Sequence, residues 1–185
     1  MQTTFENQTT YSEGAIRTMT KMAYDLFQPQ VSGRIYLVAF GLLVIGALGY
    51  SSGNPGFVSM LAVGCFALTS AEYASKAAAK RMISFFKGNF PVLKFTFRAD
   101  NIFVVTPQDT GTVGYDILIR LAESREHFFL FNSQQSAYIV DKNGFVKGDE
   151  DEFRSFLQDK TGLVFESGVT LKQKIFASFH KNNKV

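Results

Sequence analysis

Two apolar stretches without charged side chains stand out in the hydrophobic pattern of the chain. Residues 35–50 read IYLVAFGLLVIGALGY and residues 56–71 read GFVSMLAVGCFALTSA, with the turn-forming sequence SSGNP between them. Each stretch forms about 24 Å of helix at 1.5 Å per residue. A few flanking residues extend each helix towards the roughly 30 Å of a hydrocarbon core. The pattern therefore predicts a two-helix transmembrane hairpin within residues 31–90. A basic helical extension follows the second helix over residues 73–86, and the sequence GNFP at 88–91 ends it.

A buried helical hairpin in a soluble protein is the main alternative interpretation of these stretches. A soluble helix normally carries one polar face, and neither stretch has one. A signal peptide is disfavoured as well, because a polar segment precedes residue 35 and a second apolar stretch follows. The sequence favours a membrane hairpin over both alternatives.

Small residues recur in both predicted helices and indicate where helices approach each other. Small side chains allow close contact between helix backbones in lipid. Packing of the hairpin on itself and a homo-oligomer seam between two copies are both open interpretations. The predicted helix-packing residues are Gly41, Gly46, Ala67, Ala71 and Ser75.

The distribution of basic residues predicts the orientation of the hairpin. The connecting turn contains no Lys or Arg, whereas basic side chains flank both helices on the opposite side. By the positive-inside rule, both termini of a two-pass protein are then cytoplasmic and the turn lies outside. The side chains expected at the membrane surface are Arg34, Lys76, Lys80, Arg81, Lys87, Lys172 and Lys174.

The N-terminal segment, residues 1–30, predicts secondary structure of its own. Thr10 and Glu13 fit a capping box that opens an amphipathic helix over residues 11–27. Residues 3–6 are compatible with a short strand. The segment is therefore expected to be an ordered cytoplasmic appendage.

The C-terminal tail, residues 161–185, carries an apolar stripe with lysines around it. Leu171, Ile175 and Phe179 recur at helical spacing in this stripe. A basic amphipathic helix of this kind can lie in the membrane interface. It can also pack on the preceding domain, and the sequence leaves both interpretations open.

From residue 93 the apolar pattern changes to a period of two, which is typical of half-buried strands. Asp149 and Glu152 then fit a second capping box, which opens a helix with Phe153 and Leu157 on one side. The predicted fold class is an α+β membrane protein in which a C-terminal helix closes a small antiparallel β-domain over residues 91–160. The expected strands are residues 94–98, 101–106, 112–117, 119–123, 127–132 and 137–140.

Short motifs in these strands and in the closing helix resemble those of a known family, the YcxB-like proteins. The resemblance implies a bacterial inner-membrane protein with an N-terminal segment, a two-helix hairpin and a pleckstrin-homology-like (PH-like) domain. It covers roughly residues 1–160 and brings no catalytic residue with it. This chain has Tyr115 where the family often has Trp. The motifs are FTF at 95–97, IFVV at 102–105, VGYDI at 113–117, HFFLF at 127–131, AYIVDK at 137–142 and DEFRSFL at 151–157.

Composition narrows the chemistry that the chain can perform. The net charge is +3, yet residues 91–160 hold more acidic than basic side chains. A nucleic-acid reader concentrates basic charge on its folded domain, so no nucleic-acid partner is expected. The single cysteine, Cys65, cannot form an internal disulfide, and with two histidines it disfavours a structural zinc site. No catalytic motif occurs, and His127 is expected at a solvent-facing strand end. We therefore expect no enzymatic activity, no metal and no cofactor.

Phenylalanine is expected to fill the core of the β-domain. The chain has 20 Phe and no Trp, so Phe must supply the large aromatic volume. Phe128, Phe129 and Phe131 on one predicted strand are expected to contribute core residues and one outward-facing ring.

Two functional hypotheses follow from the sequence and the resemblance. The first is a non-enzymatic, membrane-anchored module that binds a protein, peptide or lipid partner at the cytoplasmic face or assembles with itself. The second is an immunity or resistance protein that protects its host against a bacteriocin or another toxin. A pull-down of a cytoplasmic partner supports the first, and protection of cells from a cognate toxin supports the second.

The predicted orientation is testable by cysteine labelling in a Cys65→Ala background. An impermeant thiol reagent added to whole cells should label a cysteine at Ser52, because this residue lies in the predicted outside turn. A cysteine at Ser133 should be labelled only after permeabilisation. Labelling of both positions from outside would contradict the hairpin topology.

Overall fold

The computed structural model describes residues 4–168, which fall into two compact units. One unit, the β-domain, contains residues 4–23 together with Ala79–Gly168. The other, Tyr24–Ala78, contains the apolar hairpin. The predicted tail, with Lys172 and Lys174, lies outside the described residues.

The helices follow the predicted positions closely, with shifts at their ends. The 3₁₀ turn Tyr50–Ser52 follows the first hairpin helix. Pro29 is the first residue of that helix, a position that proline tolerates well. The helices are α1 Glu13–Phe27, α2 Pro29–Gly49, α3 Pro55–Ser70, α4 Tyr73–Phe86 and α5 Glu150–Thr161.

The helix α1 begins two residues later than its predicted start, and its cap is a different residue. The Ala15 N–H donates to the Ser12 hydroxyl oxygen at 3.2 Å. Ser12 therefore caps the helix, and Glu13 is its first residue. Thr10 is not the cap, because it is the last residue of a strand.

Close backbone approach holds α2 and α3 together in the apolar hairpin. A Cβ atom added at Gly64 would lie 2.9 Å from Cγ of Leu43, which is closer than real side chains approach. At the turn, the Asn54 side chain accepts a hydrogen bond from the Gly56 N–H at 2.9 Å and so caps α3. Glycine contacts and a capped turn therefore define the hairpin.

Large apolar side chains of the hairpin are exposed. Phe40 is 65% exposed and Leu48 is 78% exposed on α2, and Phe66 is 73% exposed on α3. Two helical stretches, Pro29–Ser52 and Pro55–Phe86, are long and apolar enough to cross a membrane by length and composition. Because little of these stretches is buried, they differ from core helices of a soluble protein.

The β-domain contains two sheets. The five-stranded sheet has the order β4-β3-β2-β1-β8, and the four-stranded sheet has the order β7-β6-β5-β9. All pairs are antiparallel except β5 with β9, so the predicted purely antiparallel domain is in fact mixed. The strands are β1 Phe5–Thr10, β2 Val92–Phe97, β3 Asn101–Val105, β4 Thr110–Gly114, β5 Arg120–Glu123, β6 His127–Phe131, β7 Ala137–Asp141, β8 Phe145–Lys147 and β9 Phe165–Glu166.

The N-terminal strand β1 lies inside the five-stranded sheet. It pairs with β2 from Phe5↔Phe97 to Thr10↔Val92, and it pairs with β8 on its other side. The sequence predicted only a short strand in a separate segment, and it predicted no strand at β8. Residues 91–160 alone therefore lack a central strand of their sheet.

Polar side chains of β1 bond the backbone of β7, which is an edge of the other sheet. The Asp141 N–H donates to Thr9 Oγ1 at 2.8 Å, and Asn7 Nδ2 donates to the Asp141 carbonyl at 2.8 Å. Thr9 Oγ1 in turn donates to Asn7 Oδ1 at 2.7 Å, and the Ile139 N–H donates to the Tyr11 hydroxyl at 3.2 Å. This β1–β7 seam gives partners to edge groups that burial would otherwise leave unpaired.

The core between the two sheets is aromatic and centres on Phe153 of α5. Its ring centroid lies 4.6 Å from that of Phe97, 4.9 Å from that of Phe145 and 5.5 Å from that of Phe128. The rings of Phe97 and Phe145 meet Phe153 edge to face, a geometry that adds to the stabilisation from burial alone. The prediction that α5 closes the domain with Phe153 on its inner side is confirmed.

Both faces of β6 are buried. Phe128 lies in the core cluster with Phe153, while Phe129 and Phe131 are on the opposite face and are also fully buried. The prediction of one outward-facing ring is wrong. A strand buried on both faces reads as a continuous apolar run, which periodicity alone does not separate into inner and outer positions.

The β1–β7 seam is expected to stabilise the whole domain. Thr9→Val keeps the shape of the side chain but leaves the Asp141 N–H and Asn7 Oδ1 without their partner. A buried group that loses its partner costs about 1–3 kcal/mol. We therefore expect thermal unfolding of the full chain in detergent, followed by tyrosine fluorescence, to show a loss of about 2–4 kcal/mol.

Thr10→Val is the matched control, since Thr10 lies on the exposed face of the same strand. Its effect should stay within about 0.5 kcal/mol. Equal stability of the two variants would contradict a stabilising role of the seam.

Candidate functional site

The basic residues predicted at a membrane surface are exposed where the structure describes them. Arg34 lies near the start of α2, and Lys80 and Arg81 lie on α4. Lys76 Nζ lies 3.3 Å from Glu72 Oε2, in an exposed ion pair of the same helical stretch. Lys87 is exposed directly after α4. Their contact with a membrane stays a prediction.

The predicted helix-packing residues fall into two groups. A Cβ atom at Gly46 would lie 2.8 Å from Cγ of Leu61, so this glycine is at a helix contact, whereas Gly41 has nothing within 4 Å of such an atom. Ala71 and Ser75 are buried and Ala67 is half-buried. Gly64, in mid-helix, is a further contact that the sequence analysis missed.

A charged cluster joins β5, the turn after β7 and α5. Glu123 Oε2 lies 3.2 Å from Lys142 Nζ and 3.0 Å from Arg154 Nη2. Arg154 also bonds Asp151, and Lys142 Nζ lies 3.8 Å from Glu150. Burial lowers the pKa of Arg154, but its hydrogen bonds to Asp151 and Glu123 outweigh this and hold the pKa above its usual value.

The charged cluster has a structural role in the domain. The Lys142 ammonium lies 4.6 Å from the ring centroid of Phe128, so it covers the edge of the aromatic core as a cation–π partner. Asp149 accepts hydrogen bonds from the Asp151 and Glu152 N–H groups, which confirms it as the cap of α5. The acidic run at residues 149–152 is thus explained by helix capping and by the ion pair of Arg154.

A concave apolar surface, here called the groove, lies at the start of the β-domain. It encloses about 730 Å³. The end of α4, the chain leading into β2, and the β3–β4 turn form its walls. None of its lining residues carries a charge. The groove is lined by Tyr11, residues 85–86, residues 89–93 and residues 106–108.

Two residues with positive φ turn the chain from α4 into the wall of the groove. Lys87 has φ 49° and Gly88 has φ 84°, which ends the helix and redirects the backbone. The Phe86 and Phe90 rings then lie 5.8 Å apart. The Tyr11 N–H donates to the Pro91 carbonyl at 3.0 Å and fixes the start of β2.

Tyr11 links the groove to the β1–β7 seam. Burial raises the pKa of Tyr11 to about 12, although the hydrogen bond from the Ile139 N–H lowers it in part. The phenol is therefore neutral at physiological pH and contributes an apolar ring to the groove. A neutral, apolar lining suits binding of an apolar group.

A smaller cavity of about 250 Å³ lies between the start of α1 and the β5–β6 turn, and it includes His127. The His127 ring stacks on Phe129 at 6.1 Å and is half-buried, so it is less exposed than the sequence predicted. Within residues 4–168, no group of three or more His, Cys, Asp or Glu side chains is placed to hold a metal ion. Cys65 is an exposed residue of α3.

No binding surface was predicted at the residues that line the groove. The signals were present in the paired Phe85 and Phe86 and in the Asn-Phe-Pro sequence at residues 89–91. These residues were interpreted as the end of a helix. That they form one surface with the β3–β4 turn depends on strand pairing, which local patterns do not specify.

The chain is an α+β protein with two membrane-capable helices and a two-sheet domain. Residues 97–157 match the model of a family described as YcxB-like protein. This match confirms the resemblance to that family for the segment from Phe97 to Leu157, which contains β3 to β8 and most of α5. Neither a curated protein nor a solved structure matches the chain. The PH-like fold that the resemblance implies stays a prediction.

The charged cluster generates a test within the matched segment. Glu123→Gln removes the anion shared by Lys142 and Arg154. Hydrogen bonds to charged groups contribute about 1.5–3 kcal/mol, and partial exposure weakens them by screening, so we expect a loss of about 1–2 kcal/mol. Thermal unfolding of the full chain in detergent measures this.

Glu126→Gln is the control, because this residue is an exposed glutamate of the neighbouring β5–β6 turn. It should change stability by less than about 0.5 kcal/mol. If both variants unfold at the same temperature, the cluster does not stabilise the domain.

Proposed function

We propose that this protein is a non-enzymatic, membrane-anchored module whose β-domain binds a partner at the cytoplasmic face of a bacterial membrane. The single observation that carries the proposal is the exposure of large apolar side chains on α2 and α3. Contiguous apolar surface of this kind marks contact with a membrane or a partner. The length and composition of both helical stretches favour the membrane.

The groove supports a binding role for the β-domain. It is apolar, partly open and within the volume range of ligand sites in proteins. Its lining residues include no Ser, Cys, Lys, His, Asp or Glu, so they supply neither a strong nucleophile nor an acid–base pair. Binding is therefore the chemistry that this surface suits.

The orientation of the proposed anchor rests on the charges of the chain. The turn between α2 and α3 has no basic residue, whereas Arg34, Lys80 and Arg81 lie beyond the other ends of the apolar stretches. The positive-inside rule then supports cytoplasmic termini and a cytoplasmic β-domain. An immunity role stays a hypothesis that protection against a cognate toxin would support.

Lysine substitutions on the exposed apolar faces test the anchor. The double substitution Phe40→Lys and Val63→Lys places one charge near the middle of each helix, α2 and α3. The native side chains at both positions are exposed. Such charges cost about 2.5–3.5 kcal/mol each when a helix inserts into a bilayer. We expect the protein to leave the membrane pellet after alkaline carbonate extraction, whereas the wild-type protein remains there.

The matched control is Val146→Lys with Val164→Lys, since these valines are 73% and 70% exposed in the β-domain. This variant should stay in the pellet. Extraction of the wild-type protein by carbonate, or equal retention of both double variants, would contradict membrane anchoring.

A further inference from the structure

We propose that the groove binds an acyl chain of an anionic phospholipid taken from the adjoining bilayer leaflet. The inference rests on the proposed membrane anchor, because it needs a leaflet beside α4. It assigns one chemical class of occupant to a surface of the β-domain. Three independent features of the described residues support it.

The first feature is the apolar wall of the groove. Phe85 is 81% exposed at its lip, although burial of such a side chain is favourable by about 1.5–3 kcal/mol. Phe86, Phe90, Pro91 and Val92 continue the wall. An exposed aromatic beside a volume of about 730 Å³ gives an extended hydrocarbon chain a surface to cover.

The second feature is continuity with a membrane-capable helical stretch. The second of these stretches runs from Pro55 to Phe86. Its last two residues, Phe85 and Phe86, are at the same time lining residues of the groove. Lys76, Lys80 and Arg81, which are expected at the membrane surface, precede Phe85 and Phe86 on the same stretch. A phospholipid of the leaflet that these basic residues are expected to face is therefore a source of an apolar ligand for the groove.

The third feature is the charge around the lip. Lys80 and Arg81 are exposed on α4, and Lys87 follows Phe86 directly. The acidic residue nearest to the lining in the β3–β4 turn is Asp109, whose carboxylate accepts a hydrogen bond from the Thr110 N–H at 2.7 Å. Arg81 lies one helical turn before Phe85 and Lys87 follows Phe86, so the basic side chains near these lining residues outnumber the single neighbouring carboxylate of Asp109; this balance suits a ligand with an anionic headgroup and an apolar chain.

The backbone at Lys87 adds to the charge argument. Its φ of 49° is uncommon for a residue other than glycine and is more often adopted by Asn or Asp. A lysine at this position carries a conformational cost that glycine would avoid. Attraction between the Lys87 ammonium and an anionic lipid headgroup would offset such a cost. It also makes Lys87→Asn a variant that removes the charge without adding backbone strain.

Photo-crosslinking of the full chain in lipid nanodiscs tests the inference. The probe is a phosphatidylglycerol with a diazirine at the end of one acyl chain, mixed into phosphatidylglycerol nanodiscs, and mass spectrometry maps the adducts. Adducts on α2 and α3 report the anchor. Adducts on residues 90–93 and 106–108 require the chain end to leave the bilayer core, and we expect them as well.

Substitutions in the groove should change only the adducts on residues 90–93 and 106–108. Val92→Trp fills the groove from its wall, and Phe85→Ser removes its lip; each should lower labelling of residues 106–108 at least fivefold. Val146→Ser changes another exposed apolar side chain of the β-domain and should leave labelling unchanged. Adducts on α2 and α3 should be equal in all variants, which also shows that the variants are inserted.

The charge of the headgroup provides a further comparison. A phosphatidylcholine probe, or Lys87→Asn with the phosphatidylglycerol probe, should lower groove labelling about fivefold, which corresponds to about 1 kcal/mol for one lysine at an anionic surface. Lys87→Arg should retain the labelling. Equal labelling by both lipids would overturn the assignment to an anionic lipid.

The remaining outcomes separate this inference from the proposed function. Adducts confined to α2 and α3 would overturn lipid binding in the groove and leave the anchor intact, and the groove would then be free for an apolar peptide. Groove labelling that Val92→Trp and Phe85→Ser do not change would overturn the site. Absence of adducts from α2 and α3 would overturn the proposed anchor itself.

Discussion

The pairing of β1 with β2 is the constraint on which the rest of the structure depends. The two strands are neighbours in one sheet, yet residues 11–91 lie between them in the chain. The apolar hairpin is therefore an insertion between adjacent strands, and the β-domain holds the chain on both sides of it. The β1–β7 seam extends this constraint to the second sheet, because side chains of β1 satisfy the backbone of an edge strand.

The same arrangement connects the proposed anchor to the proposed binding surface. Tyr11 follows β1 and Pro91 precedes β2, so the two ends of the insertion meet at a backbone hydrogen bond of 3.0 Å. Both residues also line the groove. A ligand in the groove would thus contact the place where the inserted helices leave and rejoin the sheet. The charged cluster at Glu123 and the aromatic contacts of Phe153 stabilise the rest of the domain.

Local patterns in the sequence predicted the elements better than their pairing. The apolar stretches, the closing helix with its Asp149 cap and most strands after residue 93 follow from periodicity and turn residues. The position of β1 in the sheet does not follow from such patterns. Its sequence FENQTT has a single apolar residue, and on its inner face Asn7 and Thr9 form hydrogen bonds instead of apolar contacts. The groove was missed for a related reason, since its walls come from segments that only the sheet brings together.

The polar character of β1 has a consequence for the synthesis of the protein. At 5–20 residues per second, the residues between β1 and β2 take on the order of 4–16 s to emerge from the ribosome. During this time β1 has no strand to pair with, while the two apolar helices α2 and α3 are being synthesised. An apolar strand in that position would be prone to aggregate. A strand with Asn7 and Thr9 on its inner face is less prone to this; it gains backbone hydrogen bonds when β2 and later β8 arrive, and its side chains bond β7.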